Sequence, residues 1–101
     1  MNVIFHELIK KDLRAALSYY DAEGGSRLGD RFFEEVEAIV AKVIGNPRGF
    51  HFVAEGLRRA ALASFPYHFL YEEDESHVQF LVLRHDKRHP GLGMKRHKRH
   101  L

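Results

Sequence analysis

Two strand-like runs separated by four polar residues dominate the second half of the chain. Tyr67 to Glu72 and His77 to Leu83 are rich in aromatic and branched aliphatic side chains, the composition of a pleated, half-buried surface. Glu73, Asp74, Glu75 and Ser76 lie between them and are too acidic to be buried, so they read as the connector of two strands. Leu57 to Leu62 supplies a preceding strand, and three consecutive strands make a meander. In the last strand, Phe80 and Val82 are predicted to face one way and Leu81 and Leu83 the other. Apolar residues on both faces describe a central strand covered, at least partly, on both sides. Immediately after it the chain turns basic, with Arg84, His85, Lys87, Arg88 and His89.

The first half supplies what covers this sheet. Asn2 to Phe5 is an apolar run long enough for one strand. From Glu7 to Tyr20 the apolar positions Leu8, Ile9, Leu13, Ala16, Leu17 and Tyr20 follow the helical period. Gly24-Gly25 breaks this helix. A second runs from Arg27 to Ile44 on the stripe Leu28, Phe32, Val36, Ile39, Val40 and Val43, with Val36 and Ile39 in the core. Gly29 inside it costs roughly 1 kcal/mol against alanine, which a close approach of the first helix explains. Gly45-Asn46-Pro47 ends the second helix. Arg48 to Gly56 reads as a loop whose Phe50 and Phe52 cover a core edge. The predicted order is β-α-α-β-β-β, an α+β fold with a helical hairpin packed on a small, mostly antiparallel twisted sheet.

One hundred and one residues suit a single domain spanning 1–101, with 91–101 as a basic tail read either as a flexible, solvated end or as a surface for an acidic partner. The net charge of +2 hides a polarised chain: from Arg84 onward there are seven Lys/Arg and one acid, and four of the eight histidines. Such asymmetry points to an acidic partner, nucleic acid or protein. The absence of cysteine excludes disulfides, thiol nucleophiles and cysteine zinc sites, and is compatible with a cytoplasmic location. Met1 to Asp12 holds no long apolar segment, so neither a signal peptide nor a membrane span is expected.

Three kinds of chemistry can be weighed on these residues. His85 with His89, and His97 with His100, have spacings that ligate metal on a helix, but Pro90-Gly91 breaks the first pair and no carboxylate accompanies the second. No metal or cofactor is expected. Metal-free RNA cleavage needs a base for the 2′-hydroxyl, cations for the phosphate and an acid for the leaving oxygen. Arg58, His85 and Arg88 are the catalytic candidates for that reaction, with Arg59, Arg84, Glu55 and Tyr71 as further contributors. Pure binding needs only a basic, aromatic-edged surface, for which Arg58, Arg59, Tyr71, Arg84, His85, Lys87 and Arg88 are the candidates. His68, in mid-strand, reads as a packed histidine. No glycine-rich phosphate loop, nucleophile elbow or helix-turn-helix signature is present.

Taken in order, Leu17-Ser18-Tyr19-Tyr20, Leu28-Gly29-Asp30-Arg31-Phe32, Asn46-Pro47, Gly56-Leu57-Arg58-Arg59, Phe65-Pro66-Tyr67, Tyr71, and His85 with Arg88 and Pro90 form a set. This set resembles the ParE branch of the RelE/ParE toxin superfamily of bacterial type II toxin–antitoxin modules, over roughly Val3 to Pro90. The resemblance implies a growth-arresting toxin of the kind that serves plasmid stabilization, neutralised by a cognate antitoxin that wraps an extended, often acidic segment over it. Operator DNA is then reached only through the antitoxin. ParE-like members poison DNA gyrase with no established catalytic residue. RelE-like members cleave messenger RNA in the ribosomal A site as metal-independent endoribonucleases. The Tyr-Tyr pair, Leu-Gly-x-Arg-Phe and Phe-Pro-Tyr favour the ParE side, with the ribosome-dependent nuclease as the alternative.

Overall fold

The computed structural model describes residues 1–96 of the chain. Five strands form one sheet in the order β1-β5-β4-β3-β2: β1 is Asn2–Phe5, β2 Phe52–Ala54, β3 Leu57–Ala61, β4 Tyr67–Glu73 and β5 His77–His85. All neighbours pair antiparallel except β1 and β5, which are parallel. The parallel pair follows from the order of elements. Between β1 and the meander the chain makes a long helical excursion that returns it to run alongside β5 in the same direction. Asp74, Glu75 and Ser76 form the exposed connector as expected, with Asp74 accepting from the amides of Ser76 and His77 at 2.8 Å each. Glu73, expected there too, instead ends β4, and its side chain is only 11% exposed because it pairs with Arg58.

Helical residues run from Ile9 to Gly45 (α1) with one interruption, Gly25 at φ 77° and ψ −178°, a backbone conformation essentially reserved for glycine. The two arms, 9–24 and 26–45, fold back on each other. Tyr20 and Phe32 have ring centroids 5.1 Å apart, whereas a straight helix would separate them by about 18 Å. The close approach inferred at Gly29 is present: a side-chain carbon there would fall 1.9 Å from the Asp21 carboxylate. The second arm ends as predicted, the Asn46 amide bonding back to the carbonyls of Lys42 and Val43 ahead of Pro47.

One face of the sheet packs on this hairpin. Phe32, Val36, Ile39 and Val43 of the second arm and Ile9 and Ala16 of the first meet Ala60, Phe69, Tyr71, Val78, Phe80 and Leu83. Glu35, off the apolar stripe of the second arm, reaches over the β3–β4 connection and accepts from the amides of Ser64 (2.9 Å) and Phe65 (3.2 Å) and from the Ser64 hydroxyl. It ties the hairpin to the meander.

Two expectations are corrected. The first is the loop at 48–56, which contains the edge strand β2. Three residues are too few to show an alternating pattern, and the strand forms because the tight turn at Gly56 brings it back on β3. Phe50 does pack on the core, but Phe52 is 58% exposed. The second concerns the alternation in β5. Leu70 pairs with Val82 and Tyr71 with Phe80, so Leu81 is an extra residue in a β-bulge. Phe80 and Leu83 therefore share the helix-covered face, and Leu81 and Val82 together join Leu57 and Leu70 on the other.

Candidate functional site

The register of the sheet decides which predicted residues can meet. Arg58 pairs with Tyr71 across β3 and β4, which puts both on the helix side. Tyr71 is fully buried and its hydroxyl donates to the Pro47 carbonyl at 2.5 Å. Burial pushes its phenol up to about 12, with the Arg58 guanidinium opposing and the Glu73 carboxylate adding. This tyrosine, a candidate for the binding surface, is a core residue held neutral as a donor.

Arg58 is enclosed as well. Its guanidinium donates to the Phe50 carbonyl at 2.7 Å and to Glu73 Oε1 at 3.1 Å, and lies 3.8 Å from the centroid of the Phe52 ring. Both members of the Arg58–Glu73 pair have side chains 11% exposed. Arg48, itself mostly exposed, adds a second cation to Glu73 at 3.7 Å.

His85, Lys87 and Arg88 form a separate group at the end of β5. His85 pairs with Tyr67 and its ring meets the tyrosine edge-on, centroids 5.2 Å apart. Its Nδ1 accepts from the Lys87 amide at 3.0 Å, which shapes the turn and leaves the Lys87 and Arg88 side chains exposed. Tyr20 lies 6.1 Å from Tyr67 and 5.1 Å from the exposed Tyr19. Burial raises the Tyr67 phenol while Arg88 draws it down. The Tyr-Tyr pair of the first helix and the end-of-strand His-x-x-Arg are thus neighbours in space, a juxtaposition across the whole chain that no local pattern reveals. His89, the other half of the possible ligand pair, uses its Nδ1 to accept from the Gly91 amide. Among the described residues no group of three or more His, Asp or Glu is placed to hold a metal ion. The His97 and His100 pair lies outside the described residues.

Arg59 and Arg84 belong to the opposite face. There Arg59 pairs with Asp86 at 3.3 Å, Asp86 with His68 Nδ1 at 2.7 Å, and His68 Nε2 accepts from Arg84 Nε at 3.0 Å. His68 is buried, at 3% exposure, as the packed histidine expected. The seven predicted binding residues therefore divide into three places: Arg58 and Tyr71 inside, His85 with Lys87 and Arg88 at one end, Arg59 with Arg84 behind.

A fourth feature was not singled out from the sequence. A groove of 760 Å³ opens where the helical arms diverge beside β1, lined by Phe5, Ile9, Leu13, Phe33, Val40 and Ile44 among others, with His6, Glu7, Lys10 and Glu37 among its polar residues. Phe5 is 47% exposed, and Phe33 and Ile44 39% each. The signal was present in the surplus of apolar positions on both helices, beyond what one core-facing stripe requires.

A two-armed helical hairpin on a five-stranded sheet with one parallel edge defines the class of this fold. No family model matches the sequence, and no curated protein sequence matches it. Among solved structures, a chain of the chromosomal ParDE TA system from P. aeruginosa superposes with a TM-score of 0.74, covering 84% of this chain and 95% of that one at 16% identity. The ParE-like architecture expected from the sequence is the one observed. No helix among the described residues is long and apolar enough to cross a membrane.

Proposed function

We propose that this chain is a ParE-like toxin of a type II toxin–antitoxin module, that a cognate antitoxin neutralises it, and that it arrests growth in the cytoplasm by binding DNA gyrase. The observation that favours gyrase over the ribosome is the enclosure of Arg58. Cleaving RNA without a metal requires cations that reach the phosphate and a base beside them. Arg58 instead directs its donors at Glu73 and the Phe50 carbonyl, and Tyr71 is sealed beneath it. His85 and Arg88 stay near the surface with Lys87 but apart from Arg58, an arrangement suited to contact with a partner.

The apolar groove supports the antitoxin half of the reading. An amphipathic segment laying its apolar side between the helical arms would cover Phe5, Phe33 and Ile44, which a monomer otherwise leaves to water. Operator DNA is contacted through the antitoxin in this scheme.

The test is supercoiling by purified gyrase with and without this protein. Loss of supercoiling with accumulation of cleaved DNA is the expected outcome. No effect at high excess, with messenger RNA cut on programmed ribosomes, would replace the proposal by the nuclease, with Arg58, His85 and Arg88 as its catalytic candidates.

A further inference from the structure

The face of the sheet turned away from the helices carries Leu57, Leu70, Leu81 and Val82, and the chain covers it with its own residues 90–96. Met94 packs on this cluster. Gly93 lies so close that a side-chain carbon there would sit 2.8 Å from Val82. Two arginines fasten the strap. Arg84 donates through Nη1 to the carbonyls of Pro90 (2.7 Å) and Leu92 (2.9 Å). Arg96 donates to the Leu81 carbonyl at 2.8 Å and to Asp12 at 2.7 Å.

The two fastenings differ in what orients them. Asp12 aims Arg96, and the same carboxylate accepts from the Leu83 amide at 3.1 Å on the stretch of β5 beyond its pairing with β1. Arg84 is aimed by His68, whose Nε2 accepts its Nε–H. That bond exists only while Nε2 carries no proton, which assigns the ring proton to Nδ1 and the Asp86 carboxylate.

We propose that residues 90–96 are a latch set by neutral His68, and that protonating His68 releases the strap from the sheet while the strands stay paired. A proton on Nε2 turns the acceptor into a donor facing the Arg84 N–H, and places an imidazolium among guanidiniums. The charged groups facing His68 are Arg84 of β5, Arg59 of β3 and Asp86 in the turn after β5. Only Asp86 favours the imidazolium, and Arg59 shares the same carboxylate oxygen. Burial, foremost, holds His68 below the ordinary imidazole range, Asp86 opposes, and the two arginines add to burial. The latched state therefore binds fewer protons than the released one. Its advantage is complete above about pH 6.5 and is lost as pH falls below that value. Release uncovers the four aliphatic residues and frees the basic end of the chain from its anchor beside Asp12.

Amide hydrogen exchange on the full chain tests this, corrected for intrinsic rates, between about pH 8 and pH 5, where histidine is the side chain that titrates. The expected result is a fall in protection of about tenfold or more at Leu92, Met94 and Arg96, with 69–71 and 78–82 unchanged. In His68→Gln, whose amide accepts and donates without titrating, the strap should stay protected at both ends of the range. In Arg84→Ala it should exchange quickly throughout. Strap and strand amides losing protection together, or an unaltered pH response in His68→Gln, would overturn the latch. Should His68→Gln fail to fold, titration of the wild-type imidazole by NMR decides. A strap transition with the same midpoint supports the latch, and a different midpoint rejects it.

Discussion

The Arg58 guanidinium stacks on Phe52 and pairs with Glu73 in a site nearly closed to water. Arg88, thirty residues later, projects from a turn. Removing them should have unlike consequences. Arg58→Ala leaves the nearly buried Glu73 carboxylate with only the exposed Arg48 at 3.7 Å and the Phe50 carbonyl without its donor, and should lower stability by about 3 kcal/mol. Arg88→Ala should leave it within about 0.5 kcal/mol. Urea denaturation measures both. If both proteins are then assayed on gyrase at a temperature where each is folded, Arg88→Ala should weaken inhibition and Arg58→Ala should retain it. The reverse would mean that Arg58 leaves its internal partners to act on the target.

Among the elements, the helical hairpin depends on a single backbone conformation. Gly25 sits at φ 77° and ψ −178° with open space around it, so only backbone strain opposes a side chain there. Gly25→Ala should cost about 1–3 kcal/mol, read as a lower Tm without loss of the native spectrum. An unchanged Tm would show that the arms can turn some other way. The bulge at Leu81 works in the opposite sense, inserting a residue so that two successive side chains, Leu81 and Val82, face the strap. It is the bulge that gives the rear face a hydrophobic cluster for Met94 to cover.

For the molecule as a whole, the described part of the basic tail belongs to the fold. Residues 91–96 pack on the fold rather than fraying into solvent, and Met94–Arg96 close a short 3-10 turn. Deleting 94–101 should thus destabilise the protein by about 3–5 kcal/mol, through exposure of the aliphatic cluster and a half-buried Asp12 left without Arg96. The truncated protein should still fold, bind an apolar dye and melt earlier. A melting curve identical to that of the full chain would mean that the strap contributes nothing.

Local order could be read from the residues alone. The helical period, the glycine breaks, the acidic turn at Asp74 and the close pass at Gly29 are short-range signals, because the rise and pitch of each element confine them to a few neighbours. The α+β architecture and the packed His68 followed from them. The composition of the site did not. Arg58 finds Glu73 across 15 positions, His68 finds Asp86 across 18, and Arg96 finds Asp12 across 84. Which arginine is enclosed and which is free depends on strand register, and here one bulged residue shifts the faces. Seven basic and aromatic candidates looked equivalent in sequence because charge and residue type are local properties. Their separation into an interior pair, an exposed end and a latched rear face arises from pairings that exist only once distant segments share one sheet.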